Sequence, residues 1–143
     1  MTAYADTSFW VSFYTTDAHS ARADALVGKF NPVWFTAFTR HELRNAIRLC
    51  AFRRQISPAE LEAVLRALAD DQTAGLLHEQ PLVWPRVLEE AEALSARHTV
   101  VQGHRGMDIL HVAVARSIGA REFLTFDERQ AQLAKEAGLA VPR

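Results

Sequence analysis

The chain has 143 residues, a length that fits one domain and leaves little room for a second. Its composition, 49% hydrophobic and 23% charged, is that of a globular protein and excludes a largely disordered one. Sixteen Lys and Arg against 17 Asp and Glu give a net charge of −1, so the chain as a whole carries no basic charge that indicates nucleic acid. The single cysteine, Cys50, excludes an internal disulfide and a Cys-rich zinc site.

The chain also lacks membrane and export signals. No apolar run approaches the roughly 18 residues that a membrane-spanning helix needs. Residues 1–6 have no basic segment and include an acid where a signal peptide would be apolar. We therefore expect a soluble, cytoplasmic protein with no membrane partner.

Apolar periodicity and turn signals predict alternating strands and helices along the chain. Strands are predicted in a short segment that ends at Ala5 and at residues 33–36, 76–78, 122–126 and 139–141. Helices are predicted near residues 7–13, 19–30, 38–54, 57–75, 85–98, 107–118 and 128–137. Because strands separated by helices pair in parallel, we expect an α/β fold: one domain over residues 1–143, an α/β/α sandwich whose central parallel sheet has about five strands.

Two acids follow predicted strands directly. Asp6 stands where the first strand gives way to Thr7 and Ser8, and Asp127 ends the strand at 122–126. In parallel α/β sheets, ligands bind outside the carboxyl ends of the strands, so both acids are predicted at one rim. Alternatively, each acid only caps the helix that follows it.

Two further acids lie on predicted helices. Glu42 is at the edge of the apolar face of the helix at 38–54. Asp108 belongs to a helix that is apolar on nearly every side, so we expect it to be buried. An unpaired buried carboxylate is costly and must take up a proton or find a cation. Arg105, in the preceding loop, is the alternative structural partner for Asp108.

Four carboxylates at one rim would repel one another unless a hard cation joined them. Oxygen ligands with open positions suit Mg²⁺ or Mn²⁺, which retain waters and bind substrate phosphate. Such a cluster fits metal-assisted hydrolysis of a phosphodiester. The sequence leaves open whether the four acids converge.

Several stretches match one known family in the right order along the whole chain: Tyr4–Ser8, Arg40–Leu43, Gly106–Ala113, Gly119–Asp127 and Gly138–Leu139. With these stretches the sequence resembles PIN-domain ribonucleases, most nearly the VapC-type toxins of toxin–antitoxin pairs. Ile109 stands where relatives more often have a small residue, a departure that affects packing and no catalytic position.

The resemblance implies a metal-dependent endoribonuclease. It implies that four acids bind one or two Mg²⁺ or Mn²⁺ ions: Asp6, Glu42, Asp108 and Asp127. Thr125 is implied as a helper that positions an acid or a water. The implied partners are the RNA substrate, a second copy of the chain in a homodimer, and a cognate antitoxin protein whose tail lies across the acidic site.

Two other functions compete with this one. A phosphatase or dehalogenase with an aspartyl nucleophile could use Asp6, but the phosphatase version normally has a second acid two residues on, where this chain has Ser8. A PIN-like module that only binds a partner or DNA is the non-catalytic alternative. Acids at all four positions argue against lost catalysis.

Three other features allow more than one interpretation. His111, three residues after Asp108, either faces the same ion or packs locally. A stripe of arginines on the third helix either meets RNA phosphate or is a solvated face: Arg40, Arg44 and Arg48. Crowded aromatic side chains near the N-terminus suggest a surface that another chain covers: Phe9, Trp10, Phe13 and Tyr14.

Overall fold

The computed structural model describes all 143 residues and has an α/β architecture. The strands are β1 (Ala3–Ala5), β2 (Val33–Phe35), β3 (Leu77–Glu79) and β4 (Glu122–Leu124). The helices are α1 (Thr7–Tyr14), α2 (Ser20–Lys29), α3 (Ala37–Phe52), α4 (Pro58–Ala74), α5 (Trp84–Leu94), α6 (Val100–Gln102), α7 (Gly106–Ser117) and α8 (Glu128–Glu136). None of these helices combines the length and the apolar character needed to span a membrane.

The four strands form one parallel sheet in the order β3-β2-β1-β4. In the central strand β1, Tyr4 lies opposite Trp34 of β2 and Phe123 of β4. The predicted parallel α/β fold is therefore confirmed. All four strands end at the same edge of the sheet, which is the edge where Asp6 and Asp127 follow β1 and β4.

The prediction of about five strands is high by one. The segment at 139–141 makes a single bridge, in which Ala140 lies opposite Glu122. Its backbone exchanges hydrogen bonds with β4 and the residue before it, including Phe123 N–H to the Ala140 carbonyl at 2.8 Å. Pro142 follows two residues later and has no N–H to donate, so the ladder does not extend into a strand.

Helices cover both faces of the sheet because side chains along β1 alternate in direction. Ala3 and Ala5 pack with apolar residues of α1 to α4 on one face. Tyr4, between them, packs on the other face with α5, α7 and α8. The sheet is thus buried between two apolar layers, as a parallel sheet requires.

Helix ends differ from the predictions in ways that side-chain caps explain. Thr36, predicted in a strand, is the N-cap of α3, and its hydroxyl accepts the Thr39 N–H at 3.1 Å. The predicted start of α4 is correct, with Ser57 in a capping box and Pro58 in the first turn. The helix predicted at 85–98 ends as an α-helix at Leu94 and continues as a π-helical turn, Ser95–Thr99.

The expectation about the N-terminal aromatic cluster is wrong for its two central members. Phe9 and Trp10 are fully buried in the core of their own chain. The ring of Phe9 stacks on Phe126 with centroids 5.1 Å apart, and Trp10 packs edge to face on Phe35 of β2. These two rings hold α1 on the sheet and are not available to another chain.

Candidate active site

One cavity of about 480 Å³ has all four predicted acids in its wall: Asp6, Glu42, Asp108 and Asp127. Asp6 and Asp127 reach it from the ends of β1 and β4. Glu42 reaches it from α3 and Asp108 from the first turn of α7. The tertiary structure therefore brings together acids from four separate parts of the chain.

Asp6 is the most enclosed of the four, with 2% of its surface exposed. Its Oδ1 accepts hydrogen bonds from the Phe9 N–H at 2.8 Å and the Ser8 hydroxyl at 3.0 Å, and its Oδ2 accepts one from Thr125 at 2.5 Å. Burial raises the pKa of Asp6 above its ordinary value, although these hydrogen bonds oppose the shift. Asp6 caps α1 and also lines the cavity, and its role as a ligand stays a prediction.

Thr125 joins two of the acids. Its hydroxyl donates to Asp6 Oδ2 and accepts the Asp127 N–H at 3.0 Å. The Asp127 side chain is the N-cap of α8, because its Oδ1 accepts the Gln130 N–H at 2.9 Å. Oδ2 of Asp127 makes no hydrogen bond to the protein, and the residue is exposed.

Glu42 is half-buried and bonded through one oxygen. Its Oε2 lies 2.5 Å from both the Thr7 hydroxyl and Nε2 of His111. Burial alone would raise the pKa of Glu42. The hydrogen bond and the charge interaction with His111, together with the hydrogen bond from Thr7, outweigh burial and lower this pKa below its usual value. His111, for which the sequence left two interpretations, therefore contacts Glu42 from within the core.

Asp108 is half-buried, and the expectation that it would be buried is wrong. It lies in the first turn of α7, next to exposed Gly106 and Met107, so the apolar residues of later turns do not cover it. Neither carboxylate oxygen has a hydrogen-bond partner in the protein. The alternative pairing with Arg105 is absent, although both residues line the cavity.

The arginine stripe does not face the site as a unit. Arg40 forms an ion pair with Glu79 at 2.9 Å, on β3. The exposed arginines in the cavity wall are Arg53, just after α3, and Arg105. The arginines that line the cavity are therefore Arg53 and Arg105, and none of the three arginines of the predicted stripe is among them.

Sequence reasoning missed four residues that line the cavity, Thr7, Ser8, Asp17 and Gln130. It also missed Tyr4, which lies behind the wall and contacts His111. One signal was available, since a tyrosine in a buried strand needs a hydrogen-bond partner for its hydroxyl. Thr7 and Ser8 were predicted only to follow the first strand, yet each donates to a carboxylate of the site.

The carboxylate oxygens in the cavity wall are the type of ligand that a hard cation such as Mg²⁺ prefers. No three acidic, histidine or cysteine side chains stand close enough together to hold an ion between them directly. Carboxylate oxygens without a protein partner remain on Glu42, Asp108 and Asp127, and the cavity has room for water. Mg²⁺ retains several waters and needs only one or two protein carboxylates, so one or two of these residues can bind a hydrated ion whose waters reach the others.

The PIN-domain family model matches residues 3–136, so this chain belongs to the PIN-domain family. No curated protein sequence is significantly similar to it.

Solved structures share the fold over nearly their whole length at low sequence identity. FitAcB from Neisseria gonorrhoeae is 16% identical, with 99% of this chain and 96% of that chain covered and a TM-score of 0.69. VapC20 from Mycobacterium tuberculosis, described as a toxin that cleaves the sarcin-ricin loop, is 21% identical, with 96% of each chain covered and a TM-score of 0.68. VapBC2 from Rickettsia felis, bound to a DNA fragment from its promoter, is 14% identical, with 99% and 98% covered and a TM-score of 0.66.

Proposed function

We propose that this PIN-domain protein is a metal-dependent endoribonuclease that hydrolyses RNA phosphodiester bonds as the toxin of a VapC-type toxin–antitoxin pair. The observation that carries the proposal is the cavity at the carboxyl edge of the sheet, which four carboxylates line and where three of them retain oxygens with no protein partner. The described activity of the similarly folded VapC20 supports RNA as the substrate class.

The proposed roles follow from the contacts. Glu42, Asp108 and Asp127 would hold one or two Mg²⁺ or Mn²⁺ ions, and Asp6 would join them through Oδ2, which accepts only one hydrogen bond. A bound ion would activate water and neutralise charge on the phosphoryl oxygens. Thr125 orients Asp6 through the 2.5 Å hydrogen bond. Two exposed arginines on the wall, Arg53 and Arg105, attract the phosphates of the RNA chain.

We propose that residues 1–143 act as one PIN-like domain in the cytoplasm, as a homodimer regulated by a cognate antitoxin protein. Exposed apolar side chains support a protein interface around α5 to α7: Trp84, Leu88, Val100, Val101 and Met107. Sedimentation equilibrium of the purified chain tests the dimer, and a single species at monomer mass at all concentrations contradicts it.

The aspartyl-nucleophile alternative is disfavoured by the surroundings of Asp6. Both of its carboxylate oxygens already accept hydrogen bonds from the protein, and the side chain is almost fully enclosed. A nucleophilic carboxylate needs an oxygen that is free to approach the substrate. The non-catalytic alternative predicts binding without cleavage and is decided by the same experiment as the main proposal.

That experiment incubates the purified protein with single-stranded and with structured RNA and separates the products on a denaturing gel. Cleavage with Mg²⁺ or Mn²⁺ that a chelator stops supports the proposal, and re-addition of the ion must restore it. Cleavage that is insensitive to chelator contradicts metal dependence. Absence of cleavage under all these conditions contradicts the nuclease itself and favours the binding module.

A further inference from the structure

One oxygen of Glu42 carries both of its hydrogen bonds. Thr7 and His111 each lie 2.5 Å from Oε2, whereas Oε1 has no partner in the protein. The imidazole of His111 is 4% exposed, so it contacts Glu42 from the protein side of the cavity wall. The protein therefore holds the carboxylate of Glu42 through Oε2 and leaves Oε1 free to bind a ligand.

His111 is itself held by a chain of buried hydroxyl groups. Its Nδ1 lies 2.7 Å from the Tyr4 hydroxyl, which lies 3.0 Å from Oγ1 of Thr39. Oγ1 of Thr39 in turn lies 2.9 Å from Oγ1 of Thr36. Tyr4, Thr36 and Thr39 are fully buried, so water does not supply alternative partners.

When the imidazole of His111 is neutral, the carboxylate of Glu42 fixes the direction of the hydrogen bonds along this chain. Oγ1 of Thr36 accepts the backbone N–H of Thr39, and a carboxylate at Glu42 can only accept. A neutral His111 that donates from Nε2 to the carboxylate has only Nδ1 left to accept, so Tyr4 donates to Nδ1. Each hydroxyl has one proton, so Thr39 then donates to Tyr4 and Thr36 to Thr39. In this arrangement His111 accepts at Nδ1 and donates from Nε2.

We infer that Tyr4 and His111 are positioning residues, which hold Oε2 of Glu42 through a directed chain of buried hydrogen bonds and leave Oε1 available in the cavity. The inference rests on the proposed function for the role of Glu42, and it adds two residues from β1 and α7 to that site. His111 supplies the donor, and Tyr4 keeps the imidazole ring oriented toward Glu42.

The first test reads the hydrogen-bond arrangement without metal or RNA. In the metal-free, full-length protein labelled with ¹⁵N-histidine, NMR reports which ring nitrogen of His111 has a proton. We expect an unprotonated Nδ1 in the wild type and a changed Nδ1 signal in Tyr4→Phe, which removes its donor. A proton on Nδ1 of the wild type overturns the directed chain.

The second test measures the effect of His111 on the site. His111→Leu should weaken Mn²⁺ binding, measured by calorimetry, by about tenfold or more, and lower kcat for RNA cleavage more than it changes KM. His111→Gln should retain most of the wild-type Mn²⁺ affinity and kcat, because its amide N–H can donate to Glu42 in place of Nε2–H. Wild-type Mn²⁺ affinity in His111→Leu overturns the positioning role.

The chain offers a matched control in His98. This second buried histidine lies 3.1 Å from a carboxylate oxygen of Glu136 and is not in the wall of the cavity. His98→Leu should reduce stability and leave Mn²⁺ affinity and kcat unchanged. If His98→Leu weakens Mn²⁺ binding as much as His111→Leu, the effect is general destabilisation and the positioning role is wrong.

The two tests also separate this inference from the proposed function. A wild-type protein that binds no Mn²⁺ and cleaves no RNA overturns the proposed function and with it the positioning role. The NMR measurement would then still establish or refute the hydrogen-bond chain. If the wild type cleaves RNA and His111→Leu matches it in kcat and Mn²⁺ affinity, the inference alone fails.

Discussion

Two carboxyl groups on opposite sides of the cavity, Asp6 and Glu42, have pKa values shifted in opposite directions. On the side formed by the ends of β1 and β4, burial dominates at Asp6 and raises its pKa despite three hydrogen bonds. On the side formed by α3 and α7, the hydrogen bonds of Glu42 outweigh its burial and lower its pKa. Desolvation cost grows with enclosure, and Asp6 is nearly sealed whereas Glu42 keeps contact with solvent.

The difference explains how the fold tolerates four acids at one place. Asp6 is the only one of the four that is fully enclosed, and Glu42 is compensated by neighbours. Asp108 is half-buried and Asp127 is exposed, so water screens the charges of both. Unequal desolvation therefore limits the electrostatic cost of placing four acids in the wall of one cavity.

The largest expected effect is loss of cleavage on removing the charge of a strand-end acid. Asp6→Asn and Asp127→Asn should each reduce RNA cleavage by about 100-fold or more, because a charged ligand is lost while the shape is kept. Asp24→Asn, at an exposed position on α2, is the control and should cleave normally. Undiminished cleavage by both purified site variants would remove these residues from the active site.

A smaller loss is expected from Thr125→Val, which breaks the link between Asp6 and Asp127. The buried Oδ2 of Asp6 loses its donor, so cleavage should fall by about 10- to 100-fold and the free energy of unfolding by about 1–3 kcal/mol. Thr125→Ser keeps the hydroxyl and should recover both quantities. Cleavage assays and chemical denaturation measure them, and equal activity of the valine and serine variants would contradict the link.

Thermal unfolding of the metal-free protein, measured as a function of pH, distinguishes Asp6 from Glu42 most directly. Because the folded-state pKa of Asp6 is raised, the native state binds more protons than the unfolded state between the ordinary and the raised pKa. The wild type should therefore lose stability as pH rises through that interval. Asp6→Asn removes this loss and should melt at or above the wild type at about pH 7.

The contribution of Glu42 to the pH dependence of stability has the opposite sign to that of Asp6, because the folded-state pKa of Glu42 is lowered. Its contribution to stability is complete above the unfolded pKa and is lost as pH falls through the folded pKa. Glu42→Gln should therefore be less stable by about 1 kcal/mol near neutral pH, with the gap closing in acid. Shifts of the same sign for Asp6→Asn and Glu42→Gln in chelator would contradict the difference between the two sides.

The smallest effect on stability is expected at Asp108, which has no protein partner to lose. Asp108→Asn should change the metal-free free energy of unfolding by no more than about 0.5 kcal/mol. Added Mg²⁺ should raise the Tm of the wild type more than that of the variant, because an ion that binds the native state stabilises it. An equal rise in both proteins would show that Asp108 does not contribute to metal binding.

The sequence by itself determined the fold class and where its acids lie along the chain. Alternating apolar segments and caps such as Ser57 are local signals, because periodicity and backbone capping act within a few residues. Asp6 and Asp127 were predictable at the sheet edge for the same reason. Parallel strands bring their carboxyl ends to one rim regardless of the details of packing.

Only the tertiary structure decided how enclosed each acid is and which groups bond to it. Tyr4 and His111 are 107 residues apart, and Thr125 and Asp6 are 119 apart. Asp108 was expected to be buried because its helix is apolar, yet its first turn opens into the cavity. Burial and long-range hydrogen bonding depend on how distant segments pack, and no local pattern specifies that packing.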